Sequence, residues 1–339
     1  MQKYVYLLTA CMMGILLTGF QSKKEHLIAG QTMGTTYHVT VATEYLQSPA
    51  GLETRIAKRL NEINRSMSTY RKDSEISRFN ALERTGAKFK ISDDFLRVMQ
   101  VAAQVFKLTG GAWDGTVHPL VDLWGFGPSE NKRCIPAPEA IAALLPDVGF
   151  DHIEIIDTGH LVKKRAGAKL DLSSIAKGYA VDQVAELIRQ SGVQDFLVEI
   201  GGEIYASGYR PDGQPWRIGI NRPQKDAAYD QVYKVVALHN RAFATSGDYR
   251  NFFEVEGVRY SHVIDPRTGY PVSNGVVSVS IIADNCTLAD GLATAVMVMG
   301  RAKGLALVDR LDQVECLIVI EKPDGSLVDL YSKGFTPKN

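Results

Sequence analysis

The sequence predicts an α+β fold: a largely antiparallel sheet with helices packed on it. Two observations carry this. Helical and strand-like segments are mixed along the chain rather than alternating as β-α-β units, and from Asp151 onward strand pairs joined by short turns dominate.

The elements follow in order. Tyr37 to Val41 alternates as a half-buried strand does. Leu52, Ile56, Leu60, Ile63 and Met67 recur at helical spacing, and Asp94 to Leu108 repeats the pattern, with Ser92 as N-cap and Gly110 as the stop. Pro138 to Leu145 is a short helix that opens on proline. HIEIID, the turn TGH and LVKK form a hairpin, and Ile175 to Gln190 is a helix entered from a serine pair. FLVEI, IYASG, RIGI, YKVVALH, FFEVEG–VRYSHVI and VVSVSII are strands or hairpin arms. Cys286–Met299 and Ala302–Leu311 are helices, and ECLIVIE–PDG–SLVDLY closes the chain as a hairpin.

The 339 residues fit one large domain or two lobes, and a hydrophobic content of 45% supplies a core. With 38 basic and 38 acidic residues the formal charge is zero, which argues against nucleic acid as a partner. Residues 1–20 have one lysine followed by the apolar run from Val5 to Phe20, the shape of a secretory signal. Export to the periplasm is expected, and an uncleaved anchor in the inner membrane is the alternative. Leu17-Thr18-Gly19 resembles a lipoprotein signal but continues into Phe20 rather than cysteine. Leu8-Thr9-Ala10-Cys11 fits the pattern but leaves a very short apolar region, so lipidation stays open. Residues 21–29 are expected to be a polar tether, and residues 30–335 the folded domain. Cys134, Cys286 and Cys316 are neither a disulfide framework nor a zinc pattern, and Cys316 is expected in the core.

Several segments mix glycine, hydroxyls and carboxylates where a fold alone would prefer apolar residues. Asp290 and Thr294 share one helix face and offer hard oxygen donors of the kind magnesium or calcium accepts. A capping aspartate with a back-bonded threonine explains them equally well. Asp171 to Asp182 runs from a strand end into a helix start, a natural anion site. Lys177 stands against the helix dipole there, which suits a phosphate partner better than a structural role. Asp171 either binds a sugar or ring N–H or caps the helix. His262 stands between a strand and the turn Asp265-Pro266-Arg267-Thr268-Gly269, where functional groups are displayed. Ser246-Gly247 and Arg250 add a close approach and a cation. Tyr70, Trp113, Trp124 and Phe126 are placed to stack on a planar ligand or to pack in the core. Gly201-Gly202 is a weak signal for the site, and a bulge alone would explain it. No Walker A loop, dinucleotide-binding glycine motif, serine-hydrolase elbow or zinc cluster is present in the sequence.

These segments, from MGTTYHVT at Met33 through STYRKDSEISRFN, GGAWDGTVHPLVDLWGFG, DLSSIAKGYAVD, TSGDYRNFFE and SHVIDPRTGYPV to ADGLATA, resemble the bacterial FAD:protein FMN transferases of the ApbE family. The resemblance covers nearly all of the chain after the leader. It implies two lobes around a flavin-nucleotide cleft, FAD as substrate and Mg2+ as cofactor. It also implies transfer of FMN to a threonine or serine hydroxyl through a phosphoester, with release of AMP. The acceptors it implies are extracytoplasmic subunits of sodium-pumping NADH:quinone reductase or related electron-transfer complexes. By the same resemblance Met33, Tyr70, Ala112, Trp113, Asp114, Asp171, Lys177 and Ile264 contact the flavin nucleotide. Ser174, Asp290 and Thr294 hold the metal, Ser174 through its hydroxyl or its carbonyl, and His262 acts on the incoming hydroxyl. The chain departs from the family pattern at Trp113-Asp114-Gly115, at His118 where a small residue is usual, at Ser173-Ser174 in place of glycine, and at Phe20. A metal-dependent FAD pyrophosphatase and a non-enzymatic flavin-binding protein are the rival readings.

Overall fold

The computed structural model describes residues 23–44, 51–127, 133–157, 159–228 and 231–336. The expected leader, residues 1–20, lies outside them. The elements are β1 (Lys24–Thr32), β2 (Thr35–Thr43), α1 (Leu52–Met67), α2 (Glu75–Asn80), β3 (Lys88–Lys90), α3 (Asp93–Thr109), α4 (His118–Leu123) and α5 (Pro138–Leu144). Next come β4 (Ile153–Asp157), β5 (His160–Lys163), α6 (Ser173–Gln190), β6 (Asp195–Ile200), β7 (Glu203–Ser207), β8 (Trp216–Asn221), β9 (Val232–Leu238) and β10 (Arg241–Gly247). The chain continues through β11 (Phe252–Val255), β12 (Val258–Ser261), β13 (Val276–Ala283), α7 (Cys286–Val308), β14 (Glu315–Glu321) and β15 (Leu327–Tyr331).

Eight strands form one sheet in the order β1-β2-β6-β7-β10-β13-β14-β15. Every neighbouring pair is antiparallel. Strand order follows chain order, so everything else is an insertion between consecutive strands. The block from α1 to α6 lies between β2 and β6, the β8–β9 hairpin between β7 and β10, the β11–β12 hairpin between β10 and β13, and α7 between β13 and β14. This is the expected α+β antiparallel architecture.

Two layers cover the sheet. Val279, Ile281 and Ala283 of β13 pack with Leu292, Val296 and Met297 of α7 in one core. Val277 and Ile282, from the same strand, join Trp216, Ile218 and Leu238 of the β8–β9 hairpin in another. Period-two alternation sends Ile281 and Ile282 into opposite layers, and the irregular register between Val276 and Ser278 shifts the phase so that Val277 joins the hairpin layer. With both faces covered, β13 is buried along its whole length. A third core joins α1, α3 and α6 to β2 and β6.

The helix signals behave as the spacing predicts. Leu52, Ile56, Leu60, Ile63 and Met67 are all buried on α1. Ser92 caps α3, its hydroxyl accepting from Phe95 N at 3.3 Å, and Gly110 ends it in the left-handed region. The two helices expected between Cys286 and Leu311 meet at Gly300, whose φ of 74° breaks α7. Asn274 Nδ2 donates to the Met297 carbonyl there, at 2.8 Å.

Two expectations need correction. Residues 24–29 are not a tether: they belong to β1, which pairs with β2 over its whole length. Only alternate positions face inward, with Ile28 and Thr32 buried, so the polar composition belongs to the solvent side of an edge strand. Gly201-Gly202 is not a bulge but the two-residue turn of the β6–β7 hairpin, with Ile200 opposite Glu203 and φ values of 61° and 102°. Positive φ at both turn positions is the hairpin geometry that glycine permits. Cys134, Cys286 and Cys316 are all free thiols, with Cys316 in the core as expected.

Candidate active site

A cavity of about 400 Å3 opens between the start of α6, the first turns of α7, the end of β10 and the segment after β12. A second, of about 540 Å3, adjoins it under Met33. Thr69, Tyr70, Asp171, Ser173 and Lys177 line both, so together they form one elongated site of the size a dinucleotide needs.

Asp290 and Thr294 both reach the cavity wall, as their spacing on α7 predicts. Asp290 is 3% exposed, in a helix otherwise filled with apolar side chains. Burying a carboxylate costs several kcal/mol, about as much as burying two leucines returns. Desolvation therefore opposes its charge. Thr294 Oγ1 is 2.9 Å from Ser246 Oγ on β10.

Asp290 reaches the cavity because α6 and α7 touch at a glycine. Gly178 N donates to Asp290 Oδ2 at 3.0 Å. A Cβ on Gly178 would stand 2.3 Å from the Cys286 carbonyl oxygen and 2.8 Å from Asp290 Cβ. Gly178→Ala must therefore push the two helices apart. We expect a loss of about 3 kcal/mol of stability in thermal unfolding; a variant as stable as the parent would show that the helices have room to spare.

The same hydrogen bond bears on Ser174. In a regular helix the Gly178 amide would donate to the Ser174 carbonyl. Here it donates to Asp290, and Ser174 itself departs from helical geometry at φ −88° and ψ 15°. The Ser174 hydroxyl accepts from Trp113 Nε1 at 2.9 Å.

Lys177 Nζ forms a 2.6 Å ion pair with Glu203 Oε2. Burial works against the Lys177 charge, but Glu203 and Asp290 outweigh it and hold the ammonium above its usual range. Burial pushes the carboxyls of Glu203 and Asp290 up, and Lys177 pulls both back. One ammonium, ion-paired with Glu203, thus faces two buried carboxylates, and the trio carries one unbalanced negative charge when ionised. An all-oxygen donor set beside that excess fits a hard divalent cation.

Asp171 caps the helix start and also faces the cavities. Its Oδ1 accepts from Ser173 N at 2.8 Å, tying down the start of α6, and the residue lines both cavities. Burial alone would raise its carboxyl, but His118 and the Ser173 donors outweigh this and hold it below the ordinary range. His118, the departure from the family pattern, stands with Nδ1 3.8 Å from Asp171 Oδ2.

His262 lines the cavity just after β12. Its Nδ1 is 3.0 Å from the Asn251 carbonyl oxygen. A carbonyl can only accept, so Nδ1 carries the proton and Nε2 is the basic atom of the neutral ring. Burial lowers the His262 pKa, opposed by the Asn251 bond and reinforced by the Arg133 and Lys177 cations.

The structure thus brings Tyr70, Asp171, Ser174, Lys177, His262, Ile264, Asp290 and Thr294 to one cavity, with Met33 in its extension. It does not bring Ala112, Trp113 and Asp114 to either wall. All three are buried. Asp114 accepts from Thr116 N at 2.7 Å, Thr116 Oγ1 at 2.5 Å and Phe150 N at 3.0 Å, and Trp113 packs on Phe150 with ring centroids 6.2 Å apart. These residues brace the wall from behind, Trp113 through Ser174. Of the proposed stacking aromatics, Tyr70 and Phe126 line the cavity, whereas Trp124 is buried against Tyr260. Ser246 and Gly247 line it too; Arg250 lies over the Tyr249 ring, 5.3 Å from its centroid. Glu203 was not expected. Its signal is a carboxylate at the head of a strand buried at every position.

The model of the ApbE family matches residues 33–318. The chain is 43% identical over 329 residues to the FAD:protein FMN transferase of Vibrio cholerae, covering 95% of this chain and 96% of that one. It is 36% identical over 288 residues to the FAD:protein FMN transferase of Escherichia coli K12, covering 84% and 81%. Among solved structures, the flavin transferase ApbE from Vibrio cholerae superposes with a TM-score of 0.84 at 41% identity, covering 92% of this chain and 98% of that one. The apo flavinyl transferase ApbE of Pseudomonas stutzeri gives 0.83 at 38% identity, covering 92% and 95%. Sequence and overall structure agree over nearly the whole length, and the chain belongs to the ApbE family.

Proposed function

We propose that this protein transfers FMN from FAD to a threonine or serine hydroxyl of an acceptor protein, with Mg2+ as cofactor and AMP as leaving group. The observation that carries the reading is the placement of His262, with Nδ1 tied to Asn251, in the cavity that also holds Lys177, Asp290 and Thr294. FAD lies along the joined cavities, with its pyrophosphate by Lys177 and one ring system toward Met33 and Tyr70. His262 Nε2 takes the proton of the acceptor hydroxyl as its oxygen forms a bond to the FMN phosphorus. The bond from that phosphorus to the bridging oxygen breaks, and AMP departs with the oxygen. Lys177 binds the phosphate oxygens, and Asp171 orients the ligand. Ser174, Asp290 and Thr294 would hold Mg2+, which when bound offsets negative charge on the pyrophosphate.

Incubation with FAD, Mg2+ and the extracytoplasmic flavin-carrying subunits of a sodium-pumping NADH:quinone reductase tests the proposal. FMN covalently bound to the acceptor is the expected product. Free FMN plus AMP would mean a pyrophosphatase, and unchanged FAD a binding protein. The N-terminal basic-then-apolar pattern leads us to propose work in the periplasm, with the acceptor domains. Fractionation that finds the uncleaved chain free in the cytosol would overturn this.

A further inference from the structure

Glu203 takes no part in the scheme above, yet it is a carboxylate buried to 2% exposure in the cavity wall. It opens β7 directly after the Gly201-Gly202 turn. The lysine stem runs beside this turn: a Cβ on Gly201 would be in ordinary contact with Lys177 Cδ at 3.4 Å, while Thr35 Cγ2 at 2.8 Å is what excludes one. Lys177 thus passes over a glycine to meet Glu203 at 2.6 Å.

Lys177 has a second carboxylate within its electrostatic reach, because Asp290 also acts on the ammonium. A lysine head on a flexible four-carbon stem can take either partner. Paired with Asp290, it would neutralise the only carboxylate among the three proposed cation ligands.

We propose that Glu203 is a positioning residue: it holds the Lys177 ammonium on the β7 side of the cavity and so keeps the Asp290 carboxylate open to a divalent cation. This rests on the reading that Asp290 binds such a cation. Glu203 need not touch the cation, FAD or the acceptor. Removing it turns Lys177 from a neighbour of the cation site into a competitor for it.

The test is Mn2+ binding to the purified chain without FAD, followed by the electron-paramagnetic-resonance signal of free Mn2+. Glu203→Gln should weaken Mn2+ binding by about tenfold or more, the usual size of losing a residue that supports a metal ligand. Adding Lys177→Met to that variant removes the competitor and should restore binding to within about threefold of the parent. A Glu203→Gln variant that binds Mn2+ like the parent overturns the proposal. So does a double variant that stays weak, since Glu203 would then be a ligand or a structural support. Should Glu203→Gln fail to fold, Lys177→Met alone decides: it must bind Mn2+ at least as tightly as the parent, and weaker binding refutes the competition. Asp290→Ala separates the two readings. If it binds Mn2+ like the parent, the cation site and the role of Glu203 fall together. If its binding is lost while Glu203→Gln binds normally, only the role of Glu203 falls.

Discussion

Asp290→Ala lowers FMN transfer by on the order of a thousandfold or more, the scale of charge stabilisation that a bound cation supplies to phosphoryl transfer. The same change leaves thermal stability within a few degrees of the parent. Asp290 is a buried carboxylate opposed by its own desolvation, so its removal relieves a cost as well as a contact. Among the described residues its hydrogen bond comes from the Gly178 amide, and that amide can return to the Ser174 carbonyl in a regular helix. Asp290→Asn sharpens the test. The amide keeps an acceptor for Gly178 and nearly the same volume, but not the charge, and transfer should fall almost as far. Parental rates for either variant in limiting Mg2+ would remove Asp290 from the cation site. A large drop in melting temperature with the loss of activity would make it a structural residue.

How much of this was legible in the sequence depends on the length scale of each signal. The α1 and α3 helices are long, with apolar residues at every turn, and the periodic pattern locates both. The six-residue helices α2 and α4 are too short for a period to emerge. Strand β10 was also missed. Its sequence RAFATSG carries small and hydroxyl residues where a strand usually shows branched ones, because β10 lies under α7 and its far end lines the cavity. The site was legible wherever a polar group stands where packing would forbid it, as Asp290 does. Trp113 and Asp114 lie outside both cavity walls. The Asp114 turn with Thr116 has the composition of a binding loop but satisfies itself internally. Glu203 escaped because its partner Lys177 lies in another element, 26 positions earlier (203 − 177), and no local pattern links them.

His262 divides catalysis from binding, and its replacement tests which the cavity performs. Nδ1 is committed to the Asn251 carbonyl, so the ring is held in one tautomer with Nε2 as its base. No proposed FAD or cation contact is lost with it. His262→Ala should therefore leave FAD affinity by isothermal titration within about twofold, while transfer falls by about a hundredfold or more, the contribution of a general base. The pH dependence follows from the direction of the shift. Burial lowers the His262 pKa from its ordinary 6.5, so the neutral, proton-accepting ring persists to lower pH than a free histidine would. The acid limb of kcat/KM in the parent should lie below about pH 6.5. In His262→Ala that limb should vanish, and the residual rate should climb with pH as the acceptor hydroxyl ionises on its own. In-gel flavin fluorescence of the acceptor measures each rate. If FAD binding and transfer disappear together, the ring is a ligand contact or a support for the β11–β12 hairpin. If instead the acid limb survives unchanged without the imidazole, some other group in the cavity accepts the proton.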